Sequence, residues 1–165
     1  MARTPSASLG SIEAIYRSDF PRFLHVATAI TGDVELAADA VQEGFARAIR
    51  HRRDFRGDGP LAGWLWRTVV NCARARAGRM NELPLDVDPA DEHVPTRNGH
   101  EDTGSLRLVI AALPERQRLV LFLRYYADLD YASIATALEI SPGTVGATLN
   151  AAHRALRPLI EEVSL

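Results

Sequence analysis

Helical periodicity on both sides of an acidic, proline-containing stretch is the feature that most constrains this chain. Residues 80–104 contain three prolines, seven acidic residues and one arginine. Such a composition buries little apolar surface and interrupts regular structure, so it predicts a flexible acidic linker. On either side, apolar residues recur at helical spacing, and strand-like alternation is nearly absent. We therefore predict an all-α fold of two small helical domains, residues 10–79 and 105–162.

The net charge of -2 conceals an uneven distribution along the chain. Residues 1–79 carry 12 arginines and 8 acids, residues 80–104 carry 1 and 7, and residues 105–165 carry 6 and 6. The first domain is therefore basic, the linker acidic and the second domain neutral. All nineteen positive side chains are arginine, which suits bidentate contacts to phosphate and guanine. We attribute the lack of lysine to the codon usage of a GC-rich genome.

Composition also excludes several classes of protein. No apolar run reaches the roughly 18 residues that a membrane span needs, and residues 1–10 lack the apolar centre of a signal peptide. From the lack of such runs we expect no membrane insertion. Cys72 is the only cysteine, so we expect no internal disulfide and a cytoplasmic location. The five histidines lack metal-ligand spacing, and no glycine-rich phosphate loop follows a strand. We predict no metal, no cofactor and no enzymatic activity.

Seven helices are predicted from the spacing of apolar residues and from capping signals. Asp33 and Asp130 are suited to cap the second and sixth of them, and Pro21 is expected to break or kink the first. The apolar side of the second helix is predicted to include Phe45 and Ile49. The predicted helices span about residues 11–30, 34–51, 61–78, 106–113, 115–126 and 131–138, and a last one begins at 142.

The second predicted helix carries a polar patch that is a candidate protein-binding face. Asp39, Gln42 and Glu43 stand at i, i+3 and i+4 and therefore cluster on one side. A plain solvated helix face explains the same pattern, and on the residues alone it is the better explanation.

The third predicted helix carries the first candidate nucleic-acid surface. Arg67, Asn71 and Arg74 share one side at spacings of four and three, with Trp66 beside them. Arginines interleaved with aromatics suit single-stranded or opening DNA, because arginines hold phosphates while aromatic rings stack on bases. The alternative is a solvated face over a core anchored by tryptophan, and Trp64 is expected in that core.

Residues 131–156 form the strongest local pattern, that of a helix-turn-helix. In this motif two short helices are joined by a turn, and the second lies in the DNA major groove. Ser141 and Pro142 suit the N-cap and the first position of that second helix. An ordinary helical hairpin in a core is the alternative. The predicted buried stripe of the last helix is Val145, Leu149, Ala152 and Leu156.

The outward side of the last helix is suited to contact bases but holds few charges. Asn150 can pair with adenine, and Ala147 or Thr148 can touch a thymine methyl group. Thr144 and Arg154 complete the candidate DNA contacts. Because phosphate neutralisation supplies most non-specific affinity, a helix with so few cations predicts a weak hold on the backbone.

Taken in order, these motifs resemble the extracytoplasmic-function group of bacterial RNA polymerase sigma factors. In the first domain, TGD at 31–33, DAVQEGF at 39–45, FRGD at 55–58 and WLWR at 64–67 with Asn71 look like the second conserved region. In the second domain, LPERQ at 113–117, LFLRY at 121–125, YASIA at 131–135 and ISPGTV at 140–145 look like the fourth. Typical members carry several basic residues across 146–153, where this chain has none.

The resemblance implies binding to core RNA polymerase and promoter DNA, with an anti-sigma factor as a further partner. The patch of Asp39, Gln42, Glu43 and Phe45 would dock on the clamp-helix coiled coil of the largest polymerase subunit. A response-regulator output domain, or a protein-interaction module with weak DNA binding, remains the alternative function.

The resemblance also implies two promoter contacts. The loop at 54–61, which includes Arg56 and Asp58, would capture a flipped minus-ten base together with Asn71. The helix from Pro142 would enter the major groove at the minus-thirty-five element. The residues that would face the melting DNA are Trp66, Arg67 and Arg74.

Overall fold

The computed structural model describes residues 7–82 and 109–163, and all regular elements within these ranges are helical. This confirms the predicted all-α fold class. The first domain contains α1 (Leu9–Thr31), α2 (Val34–Arg50), a 3₁₀ turn (Arg52–Asp54) and α3 (Leu61–Glu82). The second contains a helical turn at 109–112, α4 (Glu115–Tyr125), α5 (Tyr131–Leu138) and α6 (Pro142–Val163).

Side-chain caps define the starts of α2, α5 and α6, as predicted. Asp33 accepts hydrogen bonds from the second and third residues of α2, at 2.8 and 2.9 Å. Asp130 accepts from Ser133 N–H at 2.8 Å, and Ser141 accepts from Thr144 N–H at 3.1 Å. Each oxygen satisfies a backbone donor that the first turn would otherwise leave unpaired.

Two helices run farther than predicted. Pro21 lies on the exposed side of an unbroken α1, because burial of the opposite side by Phe23 and Val26 outweighs the one hydrogen bond that proline removes. Helix α3 continues to Glu82 and so includes the first three residues of the predicted linker. The rest of that linker lies outside the described residues.

An aromatic cluster holds the first domain together. Trp66 of α3 is fully buried and stacks on Phe23 of α1, with ring centroids 3.9 Å apart and planes at 17°. Phe45 of α2 meets Phe23 edge-on at 5.0 Å and Tyr16 edge-on at 4.9 Å. Such stacked and edge-on pairs add stabilisation beyond the apolar area that they bury. Ile49, predicted to be buried on the same helix as Phe45, is instead 40% exposed.

The second domain is built around the helix-turn-helix. Helices α4, α5 and α6 contact one another around a shared apolar core. The predicted buried stripe of α6 is confirmed, since all four of its residues are less than a tenth exposed. Glu139 closes α5 with a φ of 56°, and Ser141 then starts α6. This short connection restricts the orientation of α6 relative to α5.

The two domains pack directly on each other through α3 and α5, with a smaller contact between α1 and α4. Gly63 of α3 makes the closest approach. A Cβ atom added there would lie 2.9 Å from Thr136 Cβ and 3.0 Å from the Ser133 carbonyl oxygen. Glycine is therefore needed at this position for the helices to come so near.

Gly44 serves the same purpose inside the first domain and yields a stability prediction. A Cβ atom at Gly44 would lie 2.7 Å from Val69 Cγ2 and 2.9 Å from Val69 Cα. We expect Gly44→Ala to lower the free energy of unfolding by about 1–3 kcal/mol, because α3 must move away. Urea unfolding followed by circular dichroism measures it.

Gly78→Ala is the matched control, because Gly78 lies in α3 with no atom near its added Cβ. It should raise stability by up to about 1 kcal/mol through helix propensity. Equal effects of the two substitutions would contradict the packing argument.

Candidate nucleic-acid interface

The predicted stripe of Arg67, Asn71 and Arg74 lies on one outward face of α3. Asn71 and Arg74 are exposed and Arg67 is half-buried. The structure thus brings together three of the residues predicted to hold minus-ten DNA. Both arginines are paired with carboxylates of the second domain, at 2.7 Å to Glu139 and 2.7 Å to Glu115.

The placement of Trp66 on this face is wrong. Its exposure is 0%, and its ring stacks on Phe23 in the core. Residues that follow one another in a helix point about 100° apart, so adjacency to Arg67 does not imply a shared face. Trp66 belongs instead with Val70 and Ala73, a buried stripe at spacings of four and three. Its ring can support the arginine face from within, but it cannot stack on a base there.

The loop before α3 presents the other predicted minus-ten residues. Arg56 and Asp58 are both exposed. Gly57 between them has a φ of 74°, in the left-handed region that favours glycine. Phe55 anchors the loop on Trp64, with ring centroids 5.6 Å apart. Asp58 lines a groove between the domains, together with Gly59, Pro60, Ala132, Ala135, Thr136, Ile140 and Pro142.

The predicted polar patch on α2 is present, and an unpredicted arginine supports it. Asp39 and Gln42 are exposed, whereas Glu43 is half-buried. The guanidinium of Arg76, on α3, donates to the Glu43 carboxylate at 2.7 Å and lies 3.9 Å from the Asp39 carboxylate. Arg47, which lies on α2 like Glu43, also donates to the Glu43 carboxylate. Partial burial opposes ionisation, but Arg76 and Arg47 outweigh it and hold the pKa of Glu43 below its ordinary value.

Sequence reasoning missed Arg76, although a signal was available. The buried residues of α3 that face α2 recur at spacings of four and three, from Leu65 through Val69 to Cys72. The next position in that series is residue 76. An arginine there must emerge beside α2, where the acids of the polar patch lie.

Phe45, which the resemblance includes among the polymerase-docking residues, is buried on the apolar side of α2, as its helical spacing predicts. It is 5% exposed and packs against Phe23 and Tyr16. Its ring lies beneath the polar patch, because it is on the apolar side of α2. It can therefore support the patch from within but offers little surface of its own to a partner.

The predicted base-reading side of α6 is open at three positions. Ala147, Asn150 and Arg154 are exposed, whereas Thr144 and Thr148 are half-buried. The Thr148 hydroxyl donates to the Thr144 carbonyl at 2.7 Å. A shallow groove runs beside this surface, lined by Pro114, Arg116, Gln117, Ala147, Thr148 and Ala151.

Two kinds of site have no candidate within the described ranges. No three His, Cys, Asp or Glu side chains in residues 7–82 and 109–163 are placed to hold a metal ion. None of the helices in those ranges is both long enough and apolar enough to span a bilayer.

Comparisons with known proteins match both halves of the chain. The family Sigma-70 region 2 matches residues 15–79, and Sigma-70, region 4 matches residues 103–156. RNA polymerase sigma-H factor of Pseudomonas aeruginosa is 30% identical over 161 residues, which cover 86% of this chain and 80% of the relative. ECF RNA polymerase sigma factor SigL of Mycobacterium tuberculosis is 30% identical over 176 residues, which cover 100% and 99%.

Two solved structures share the fold. The sigma factor RpoE of Bartonella quintana, in complex with the anti-sigma factor NepR, has a TM-score of 0.70 at 17% identity. The match covers 93% of this chain and 98% of that one. CnrH, in complex with the cytosolic domain of CnrY, has a TM-score of 0.68 at 18% identity, covering 94% and 91%.

The cap of the helix-turn-helix yields a prediction that depends on pH. Hydrogen bonds from Ser133 to Asp130 outweigh burial and lower the pKa of the Asp130 carboxyl. Its stabilisation is therefore complete above the ordinary pKa of about 3.9 and is lost as the pH falls through the lowered value. At neutral pH, Asp130→Ala should cost about 0.5–2 kcal/mol of unfolding free energy.

Asp130→Asn is the matched control, because it keeps the capping oxygen but cannot titrate. It should retain most of the stability at neutral pH and lose less than the wild type in acid. Urea unfolding at several pH values measures both effects. Equal losses for Ala and Asn at neutral pH would contradict a capping role.

Proposed function

The chain belongs to the extracytoplasmic-function group of RNA polymerase sigma factors, and from this premise we propose which surfaces perform each step of initiation. Sigma factors direct promoter recognition and transcription initiation and are not enzymes. The observation that carries the assignment of surfaces is their separation. The polar patch on α2, the arginine face of α3 and the outer side of α6 lie on three different helices.

The polar patch of Asp39, Gln42 and Glu43 is the proposed docking site for core polymerase. Arg76 and Arg47 hold the Glu43 carboxylate ionised and fixed in orientation. The side chains of Asp39 and Gln42 are exposed on the same side of the helix, outside the hydrophobic core of the domain. An acidic, oriented surface suits a basic partner, and charge complementarity contributes mainly to specificity and to the rate of association.

The arginine face of α3 and the loop before it are the proposed minus-ten site. Arg67 and Arg74 are seven residues apart on one face, so both can contact phosphates of the same strand. Asn71 stands between them and offers both a donor and an acceptor to a base edge. Arg56 and Asp58 supply polar groups for a base turned out of the helix, whose lost stacking the pocket must offset.

Helix α6 is the proposed reader of the minus-thirty-five element. Asn150 offers a bidentate contact to adenine, and Ala147 is small enough to approach a thymine methyl group. Arg154 supplies a phosphate contact farther along the helix. Thr144 and Thr148 are half-buried, so they contribute through the atoms that remain accessible on the groove side.

Localisation and control follow from this proposal. Promoter DNA and core polymerase place the protein in the cytoplasm when it acts. An anti-sigma factor is the expected regulator, since the exposed polymerase-binding patch would otherwise compete continuously for core enzyme.

The polymerase-binding patch is tested by reversing its charge. We expect Asp39→Arg combined with Gln42→Arg to weaken binding to core polymerase by about tenfold or more, because like charges would meet in the contact. Both side chains are exposed, so the fold should be kept. Gel filtration with core enzyme and run-off transcription measure the loss.

Glu13→Arg is the control for this experiment, because it reverses an exposed charge of α1 outside the patch. It should bind and transcribe as the wild type does. Undiminished binding by the Asp39 and Gln42 double variant would refute the assignment of the patch.

The recognition helix is tested by adding an arginine within residues 146–153, where it has none. Ala147→Arg should add one phosphate contact, which steepens the slope of log affinity against log salt by about 0.9. Filter binding of holoenzyme to a cognate promoter over a range of salt concentrations measures this slope. Ala14→Arg on α1 adds the same charge elsewhere and should leave the slope unchanged. An unchanged slope for Ala147→Arg would remove α6 from the DNA contact.

A further inference from the structure

Arg76 stands at a position of α3 where the local pattern favours an apolar side chain. The buried residues that face α2 recur at spacings of four and three, from Leu65 through Val69 to Cys72, and residue 76 is next in that series. The Arg76 side chain is accordingly only 23% exposed. Its Nε atom is buried, and no acceptor among the described residues hydrogen-bonds to it. A buried donor without an acceptor lowers the stability of a fold, so packing does not explain an arginine here.

The contacts of the Arg76 guanidinium supply another explanation. Its Nη2 atom donates to Glu43 Oε2 at 2.7 Å, and its Nη1 atom lies 3.9 Å from Asp39 Oδ2. The planar fork of an arginine can hold two carboxylates in a fixed relative orientation, which a single ammonium group cannot do. One side chain of α3 therefore sets the orientation of both acids of the polar patch on α2.

The two acids are left with different roles. Both oxygens of Glu43 are occupied within the chain, Oε1 by Arg47 and Oε2 by Arg76, and the Glu43 side chain is 26% exposed. Asp39 is 60% exposed and meets Arg76 at the longer distance, so its carboxylate keeps room for a partner. Glu43 thus anchors Arg76, and Arg76 directs Asp39. An exposed, oriented carboxylate suits a cationic side chain of the partner.

We propose that Arg76 is a positioning residue for polymerase binding. It holds Asp39 in the orientation in which a cation of the partner meets it, and Glu43 in turn fixes Arg76. An apolar residue at this position would keep the fold at least as stable, because it would continue the buried series without an unpaired donor. The inference rests on the proposed function, because it needs the polar patch on α2 to be the docking site.

The positioning role is tested with Arg76→Met in the full-length chain. Fluorescence anisotropy of the labelled protein, titrated with core polymerase, measures affinity, and urea unfolding followed by circular dichroism measures stability. We expect the affinity for core polymerase to fall by about two- to tenfold, the range for one lost hydrogen bond. The urea midpoint should stay at or above the wild-type value. A side chain with a purely structural role would lower both quantities together.

Arg17→Met is the matched control. Arg17 also pairs with a glutamate at 2.7 Å, but that partner is Glu13, on the same helix and outside the polar patch. The substitution removes the same charge and should leave the affinity for core polymerase at the wild-type value. A loss equal to that of Arg76→Met would mean that total charge alone governs binding, and it would overturn the proposal.

A double-mutant cycle tests whether Arg76 acts through Asp39. Asp39→Asn removes the charge that Arg76 orients and keeps the shape of the side chain. Arg76→Met should then reduce the affinity for core polymerase by a smaller factor in the Asp39→Asn background than in the wild type. Arg76→Lys should keep only part of the wild-type affinity, because an ammonium group lacks the planar fork. Equal factors in both backgrounds, or full affinity with lysine, would overturn the orienting role.

The outcomes separate the role of Arg76 from the proposed function. If Asp39→Arg with Gln42→Arg abolishes core binding while Arg76→Met binds as the wild type does, the patch is the docking site but Arg76 does not position it. If Arg76→Met lowers the affinity and the urea midpoint together, the role of Arg76 is structural and the proposal is overturned. The proposed function fails separately, if the Asp39 and Gln42 double variant binds core polymerase normally.

Discussion

The fixed orientation of α3 about its long axis is the constraint on which the functional surfaces depend. Stacking of Trp66 on Phe23 directs one side of the helix to α1, and close contact of Val69 with Gly44 directs another to α2. With both sides buried, the remaining side faces away from α1 and α2, and it carries Arg67, Asn71 and Arg74. The same apolar contacts that stabilise the first domain therefore aim its arginines outward.

Electrostatics then divides the first domain into two surfaces of opposite character. The acids of α2 are concentrated on one side, and Arg76 ties them to α3 without neutralising the exposed Asp39. The arginines of α3 lie on a different side. A single small domain can in this way face a protein partner and a nucleic acid at once. The net charge of the whole chain, -2, conceals this division.

Local chemistry in the sequence was enough to predict the class of fold and most helix starts. The caps at Asp33, Asp130 and Ser141 are decided by residues at most three positions apart, so they can be predicted without tertiary structure. Trp66 was misplaced because its neighbour in sequence was taken for a neighbour in space. The wide apolar side of α3, which also includes Val70 and Ala73, indicates burial instead.

The pairs between domains lay beyond sequence reasoning. Arg74 and Glu115 are 41 residues apart, and nothing in their local sequence links them. Glu139 is the C-cap of α5, where no local signal indicates an ion pair with Arg67. Such contacts follow from how two separately folded units meet, which depends on a glycine at the closest approach and on charges contributed by different helices.

The most direct test of the account is to ask what the α3 face touches in the open promoter complex. A photoreactive amino acid introduced in place of Asn71 should crosslink to the melted minus-ten strand in the holoenzyme. Crosslinks to polymerase alone, or to the second domain alone, from a holoenzyme that still initiates transcription, would contradict the central claim.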